Sequence, residues 1–418
     1  MKFLILSDIH FIAAPEEQDP NAKMRRAFLK DLEDYATEKG GFDYILISGD
    51  VANTGAKDEF DIAFKLIKRI CDIVKCTTDC VYVVPGNHDK NFVSHNPELR
   101  HLINAGLSSE SANPDEKFTQ LLYKDFNSFK LLYRPFTDYH DFAFSFDSAE
   151  PMMQKIVVHP NETNFDITTD KLYLKSPLKD LGNYHVYLFC LNTSLISDWD
   201  DLKDNGNGHK QFLPSLSYNA IADTEGCINI VMMHHPLTHL VDNDEIEATL
   251  DQNFQLQIYG HLHRSASSAH NAVRIESGAL QPPSAEGSND YFSIYNILEL
   301  NVMPKDDKSD ELHVALRVQK YNEEDNKFEE DAESCNTYIV DLKKHVNRWK
   351  QESPAPKVIL PEGITLRQIR VKFLQSKNRK ALIGADFDEK ETINENSIRF
   401  LNKMEDEGRL IELWNNMK

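Results

Sequence analysis

The sequence predicts an α/β protein: a layered core of buried strands alternating with helices, interrupted by a helical insertion and followed by a small all-helical unit. Three observations carry this. A short apolar run closed by a polar cluster recurs five times, as KFLILSDIH (Lys2–His10), DYILISGD (Asp43–Asp50), VYVVPGNHD (Val81–Asp89), INIVMMHH (Ile228–His235) and QLQIYGHLH (Gln255–His263). Continuous apolar runs of this length, bounded by Gly or Pro, read as strands buried on both faces. The first three are separated by amphipathic patterns, and a long aromatic-rich stretch then breaks the rhythm.

The elements follow in order. Between the first three strands, Lys23–Glu38 and Asp58–Lys75 carry apolar residues at Met24, Phe28, Leu32 and Tyr35, then at Phe60, Phe64, Ile67, Cys71 and Val74. Spacings of three and four are those of a helix with one apolar face. The result is a β-α-β-α-β start, whose ligands bind beyond the carboxyl ends of the strands. From about 91 to 183 lies the insertion, with ten aromatics between Phe118 and Phe146. They read either as the core of a helical cap, the reading preferred because aromatics usually bury area against one another, or as a lid that stacks a nucleobase. YHVYLFCL (Tyr184–Leu191) resumes the core, and YFSIYNILEL (Tyr291–Leu300) and ELHVALRVQKY (Glu311–Tyr321) are expected to complete a second sheet. Glu323–Ser334 reads as an acidic loop, Tyr338–Glu352 as a helix and Ser353–Lys357 as a linker. The chain thus divides into 1–335, a helix and linker over 336–358, and a helical unit over 359–418. In that unit Thr365 is the expected N-cap, and Leu366, Ile369 and Phe373 form one apolar stripe.

Composition excludes several classes. With 41% hydrophobic residues the 418-residue chain is not disordered by composition, and no apolar run approaches the ~20 residues that span a bilayer. No secretory leader pattern opens it, so a cytoplasmic location is expected, and N-x-S/T at Asn161 and Asn192 carries little meaning. Cys71, Cys76 and Cys80 lack the paired short spacings of a zinc site and read, with Cys190, Cys227 and Cys335, as reduced thiols. The net charge is −21, unevenly spread: from Asp341 onward Lys+Arg number 16 against 12 Asp+Glu, and before it 30 against 55. So acidic a body disfavours non-specific binding to a nucleic acid backbone.

Seven residues gather at the strand ends: Asp8, His10, Asp50, Asn87, His234, His261 and His263. This set of oxygens and imidazoles without thiolate suits manganese, iron or zinc, and its size suits two ions sharing a carboxylate. His95, His101, His239 and His270 read as surface or satisfied polar residues. His235 stands beside an expected ligand; on a strand its side chain points to the opposite face, and a role behind the ligands or on the substrate side stays open.

D-x-H at Asp8–His10, G-D at Gly49–Asp50, G-N-H-D at Gly86–Asp89, H-H-P at His234–Pro236 and G-H-x-H at Gly260–His263 resemble the five ordered blocks of the calcineurin-like metallophosphoesterases. The resemblance spans roughly residues 1 to 320. It implies a four-layer αββα sandwich with a helical cap insertion, here joined to a small all-α C-terminal domain. It implies one divalent ion on Asp8, His10 and His263, a second on Asn87, His234 and His261, and Asp50 between them, with manganese the expected metal. His88 is implied to protonate the leaving oxygen, and Asp89, placed with it among the catalytic residues, either orients His88 or ties the turn. GDVANTG (Gly49–Gly55) and GNHD depart from the protein phosphatases and look more like the cyclic-nucleotide phosphodiesterases. The implied activity is hydrolysis of a phosphodiester in a nucleotide, cyclic nucleotide or nucleic acid. A phosphomonoesterase and a catalytically silent binding scaffold are the alternatives.

The last 55 or so residues, LRQIRVKFL through EGRLIEL, resemble the small death-like, effector-associated adaptor domains of bacterial conflict systems. That implies recruitment of a protein partner in antiviral defence. The basic set Arg367, Arg370, Lys372, Lys377, Arg379 and Lys380 suits an acidic partner or the chain's own acidic body. An extension packed on the core is the other reading.

Overall fold

Successive side chains of a strand point to opposite faces, so a strand whose interior residues are all apolar must be covered on both. This holds for β1 (Lys2–Leu6), β2 (Tyr44–Ile47) and β3 (Val81–Val83). Phe3 and Ile5 enter one hydrophobic core, Leu4 and Leu6 another. The computed structural model describes residues 1–14, 18–91, 97–108, 113–197, 210–219, 225–281, 292–306, 309–343 and 360–417.

β1, β2 and β3 are parallel and linked by helices Ala22–Lys39 and Lys57–Val74, within a residue of the expected bounds. The second sheet holds β4 (Tyr173–Pro177), β5 (His185–Leu191), β6 (Cys227–Met232), β7 (Leu256–Tyr259), β8 (Ser265–Ala269) and β9 (Val273–Ser277). Its order is β4-β5-β6-β7-β9-β8, with β5, β6, β7 and β9 parallel. Phe3, Ile5 and Leu46 of the first sheet meet Leu188, Ile230 and Ile258 of the second across a shared core. Phe28, Leu32, Ile67 and Val74 cover the outer face of the first sheet; Ile246 and Leu250 of helix Asn243–Asn253 cover that of the second. The architecture is therefore an αββα sandwich.

Three expectations need correction. β10 (Ile294–Pro304) and β11 (Ser309–Asn322) join the first sheet, not the second, because β10 pairs antiparallel with β1. The acidic stretch contains β12 (Lys327–Glu330), and the start of the expected helix is β13 (Asn336–Lys343), both paired with β11. The remainder of that helix and the linker lie outside the described residues. The interval 91–183 is not all helical: β4 sits inside it, at the edge of the second sheet.

The aromatic residues of the insertion are its core. Phe118, Phe129, Tyr133, Phe136, Tyr139 and Phe146 are buried, and Phe60 and Phe64 of helix Lys57–Val74 contact Phe142 and Phe146 at centroid distances of 5.2 and 5.3 Å. Only Tyr123 among the ten is exposed, against Phe165. Below this layer Glu150 is buried, accepts a 2.9 Å bond from Tyr133 Oη, and has its pKa pushed by burial up to about 8. The unfolded chain ionises this group from about pH 4.5 and the folded chain only near 8, so stability falls as pH rises across that window. Glu150→Gln is expected to remove a slope of about 1.4 kcal/mol per pH unit and to raise stability at pH 8, as checked by denaturant unfolding at several pH values.

The C-terminal unit consists of helices Leu366–Leu374, Arg379–Ile383, Ile393–Asp406 and Leu410–Asn416. Thr365 caps the first, its hydroxyl accepting the Gln368 N–H at 3.1 Å. Ile369, Phe373, Leu401, Met404 and Leu413 are buried in its centre. The unit docks on the edge of the first sheet, where no further strand pairs with β3. Arg367 covers that edge: its guanidinium donates to the carbonyls of Asp79, Val81, Phe146 and Asp147 at 2.6 to 3.0 Å and stacks on Tyr82 at 4.0 Å. Arg370 pairs with the Asp147 carboxylate at 3.0 Å.

Candidate dinuclear metal centre

β1, β2 and β3, and β6 and β7 in the facing sheet, end at one edge of the sandwich, and the loops that leave them carry the expected ligands. Ligand atoms lie within 4.8 Å of one another in four groups: Asp8, His10 and His263; Asp8, Asp50 and His234; His10, Asp50 and His88; His234, His235 and His261. Shared members fuse these groups into one cluster. Asn87 joins it through Oδ1, 3.1 Å from His234 Nε2.

The backbone is bent to achieve this. Nine described residues other than glycine have positive φ, and five of them are Asp8 (50°), His10 (46°), Asp50 (53°), His261 (71°) and His263 (53°). Such conformations cost about 1–3 kcal/mol each and persist where the surroundings enforce them, usually at functional sites. Two motif glycines admit the ligands. A Cβ on Gly86 would sit 2.0 Å from Asp50 Oδ1, and one on Gly260 would sit 2.3 Å from Ser7 Oγ and 2.9 Å from His234 Nδ1.

Hydrogen bonds aim the side chains. His234 Nδ1 lies 2.8 Å from the Ser48 carbonyl, which can only accept, so Nδ1 carries the hydrogen and Nε2 offers its lone pair. That lone pair faces Asp50 Oδ2 at 3.3 Å. Two such atoms need a proton or a cation between them. Asp8 Oδ1 and His263 Nε2 stand 3.1 Å apart in the same way, while Asp8 Oδ2 accepts the His261 N–H at 3.1 Å.

The electrostatics agree with a cation site. Burial opposes ionisation of Asp8, yet His263 and its neighbours hold its pKa down to about 2; Asp50, beside His234 and His88, is also held well below the usual range despite burial. Burial lowers His10 to about 4 and His261 to about 3, which keeps both as neutral donors. Burial works against protonation of His234 too, but Asp50 lifts it to about 9, which places between Nε2 and Asp50 the proton that a metal ion there would displace. Both ring nitrogens of His10, which is 7% exposed, lack a hydrogen-bond partner among the described residues. A buried imidazole without partners beside two carboxylates is a donor set made for a metal ion.

His88 stands at the rim with Nδ1 on the Asn53 carbonyl at 2.8 Å and its ring 4.5 Å from that of His10. Asp89, expected among the catalytic residues, does not touch His88. Its carboxylate accepts the N–H groups of Ala52 and Gly86, both at 2.9 Å, and so ties the turn. His235 is buried within the cluster rather than turned away, its Nδ1 3.0 Å from Thr193 Oγ1, because β6 ends at Met232 and strand alternation no longer governs it. His239, expected at the surface, is half-buried with its ring 5.0 Å from that of His261. His270 is exposed, and His95 and the His101 side chain lie outside the described residues. Sequence reasoning missed Ser48, Asn53 and Gln281. The first two act through backbone carbonyls, which leave no residue-type signal, and Gln281 donates to the Ile9 carbonyl at 2.6 Å from a distant segment.

Residues 1–265 match the family model described as calcineurin-like phosphoesterase. A Bacillus subtilis (strain 168) protein, the uncharacterized metallophosphoesterase-like protein YydB, is 25% identical over 281 residues, 64% of this chain and 49% of that protein, so the chain spans about half the length of this relative. Solved structures with likeness include zinc-complexed Vps29 from Entamoeba histolytica (12% identity, 82% of this chain and 99% of that one, TM-score 0.30). Another is the purple acid phosphatase PPD1 of yellow lupin (10% identity, 82% and 54% covered, TM-score 0.33). Members of the matching family are hydrolases built around a dinuclear metal centre. By the match over its first 265 residues, the chain belongs to the calcineurin-like phosphoesterase family.

Proposed function

We propose that the chain is a cytoplasmic phosphodiesterase dependent on two divalent ions, acting on a nucleotide, cyclic nucleotide or nucleic acid end. Asp8, His10 and His263 would hold one ion and Asn87, His234 and His261 the other, with Asp50 shared between them. Manganese suits these oxygen and imidazole donors. When bound, the pair would supply Lewis-acid stabilisation of phosphoryl oxygens and a nucleophile at neutral pH.

The observation that carries the reading is His88. Its Nδ1–H is engaged by the Asn53 carbonyl, so the proton that can move is the one on Nε2. His88 donates that proton to the departing oxygen as the P–O bond breaks. The turn tied by Asp89 keeps Asn87 and His88 side by side, one for the metal centre and one for the leaving group. Free thiols at all six cysteines support a reducing compartment.

The test is a product assay with added manganese against cyclic nucleotides, dinucleotides, single- and double-stranded nucleic acid and phosphomonoesters side by side. Turnover of a diester and a fall of about 100-fold or more in His88→Ala are expected. Wild type and His88→Ala equally inactive across the panel would sink the enzymatic reading in favour of a scaffold; turnover of monoesters alone would replace it with a phosphomonoesterase.

Recruitment of a defence partner through the last 55 residues is also proposed, resting on their resemblance to adaptor domains. Arg367 and Arg370 are engaged inside the chain and Lys380, though exposed, pairs with Glu389 at 2.7 Å, so Lys377, with Lys380 beside it, is the centre of the acidic-partner surface. Charge reversal at both is expected to abolish association without lowering phosphoesterase activity.

A further inference from the structure

We propose that Glu59 is a positioning residue that fixes the tautomer and direction of His88 through the Asn53–Thr54 peptide. This rests on the reading of His88 as the proton donor. Glu59 is 4% exposed and belongs to none of the metal-competent groups. Its Oε2 accepts from Asn53 N at 3.2 Å, Thr54 N at 2.8 Å, Thr54 Oγ1 at 3.1 Å and Ala56 N at 3.3 Å.

Glu59 is the third residue of helix Lys57–Val74, and a capping carboxylate there needs only the Ala56 N–H. The other three bonds hold the preceding loop. The shortest is the informative one: the Thr54 N–H and the Asn53 C=O belong to one planar trans peptide and point in opposite directions. Anchoring the N–H on Glu59 therefore aims the carbonyl the other way, at His88 Nδ1, 2.8 Å distant. The Asn53 N–H is held from its own side by the Phe11 carbonyl at 3.1 Å. A carbonyl so aimed keeps hydrogen on Nδ1. Donation requires His88 as the imidazolium: as the P–O bond breaks the leaving oxygen takes the Nε2 proton, the phosphorus gains the oxygen of water, and the ring, then neutral with hydrogen held on Nδ1, takes back on Nε2 the proton that water releases.

The experiment compares two diesters with manganese-loaded full chain: bis(p-nitrophenyl) phosphate, whose leaving group needs no proton, and a dinucleotide, whose alkoxide does. Glu59→Ala is expected to lower kcat about 100-fold on the dinucleotide and no more than about threefold on the aryl ester. Glu59→Gln, which keeps an acceptor oxygen, should recover most of the loss, and Glu59→Ala with His88→Ala should be no slower than His88→Ala alone. Ring 15N shifts of His88, recorded at a pH where the ring is neutral, should show hydrogen on Nδ1 in wild type and a mixture of tautomers in Glu59→Ala. Equal loss on both esters, or no loss on the dinucleotide, overturns the proposal. Where Glu59→Ala does not fold, Glu59→Asp, which withdraws the carboxylate by one methylene, is decided by the same ratio. Wild type inactive on every ester defeats the reading of His88 as an acid, and the 15N shifts then decide the Glu59 contact separately.

Discussion

Asp50→Asn is expected to reduce phosphodiester hydrolysis by about three orders of magnitude or more and to lower the manganese content of the purified chain. Asp50 Oδ2 lies 3.3 Å from His234 Nε2 and 3.9 Å from His10 Nε2, and its Oδ1 accepts the His88 N–H at 2.8 Å. It therefore touches both sides of the cluster and the turn that carries His88. Its 1% exposure means that water cannot stand in for it. Metal stabilisation of a phosphoryl transition state is worth several kcal/mol, and each 1.36 kcal/mol is tenfold in rate, which sets the scale of the loss. Asn keeps the shape and the oxygen toward His88 N but removes the charge. A fold preserved by circular dichroism with both activity and metal lost is the expected pair of results; unchanged metal content would remove Asp50 from the centre.

Arg367→Ala is expected to destabilise the folded chain by about 3 kcal/mol and to expose the C-terminal unit to protease. The guanidinium satisfies four backbone carbonyls on the open side of β3, and Phe146 and Val81 are fully buried. Each buried carbonyl left without a donor costs about 1–3 kcal/mol, reduced where water enters. Removing the stack on Tyr82 adds lost packing area. Lys cannot replace Arg367, because one ammonium does not span four acceptors arranged around a planar fork. The change is read from the denaturant midpoint at constant slope, and an unaltered midpoint would mean that the unit is only tethered.

Much of the site was legible because of how parallel strands work. A strand buried on both faces must be apolar throughout, and its ligand lies just past its end, so Asp8, Asp50, Asn87, His234 and His261 each close a visible run. What was illegible depends on partners remote in sequence. Nothing local says that β10 lies beside β1 rather than in the second sheet. In β13 a period of two was present, with Tyr338, Val340 and Leu342 packing on the core and Ile339 57% exposed, but the lysines that follow extended it into an apparent helix. The pull of Asp89 toward backbone N–H groups and the reach of Arg367 for carbonyls are likewise contacts with atoms common to every residue type.

The central claim is a dinuclear centre that hydrolyses phosphodiesters, and one titration tests it most directly. Metal-free full chain is titrated with Mn2+ while hydrolysis of bis(p-nitrophenyl) phosphate is followed. The account predicts that turnover rises and saturates as the second equivalent binds; two equivalents bound with no turnover would contradict it.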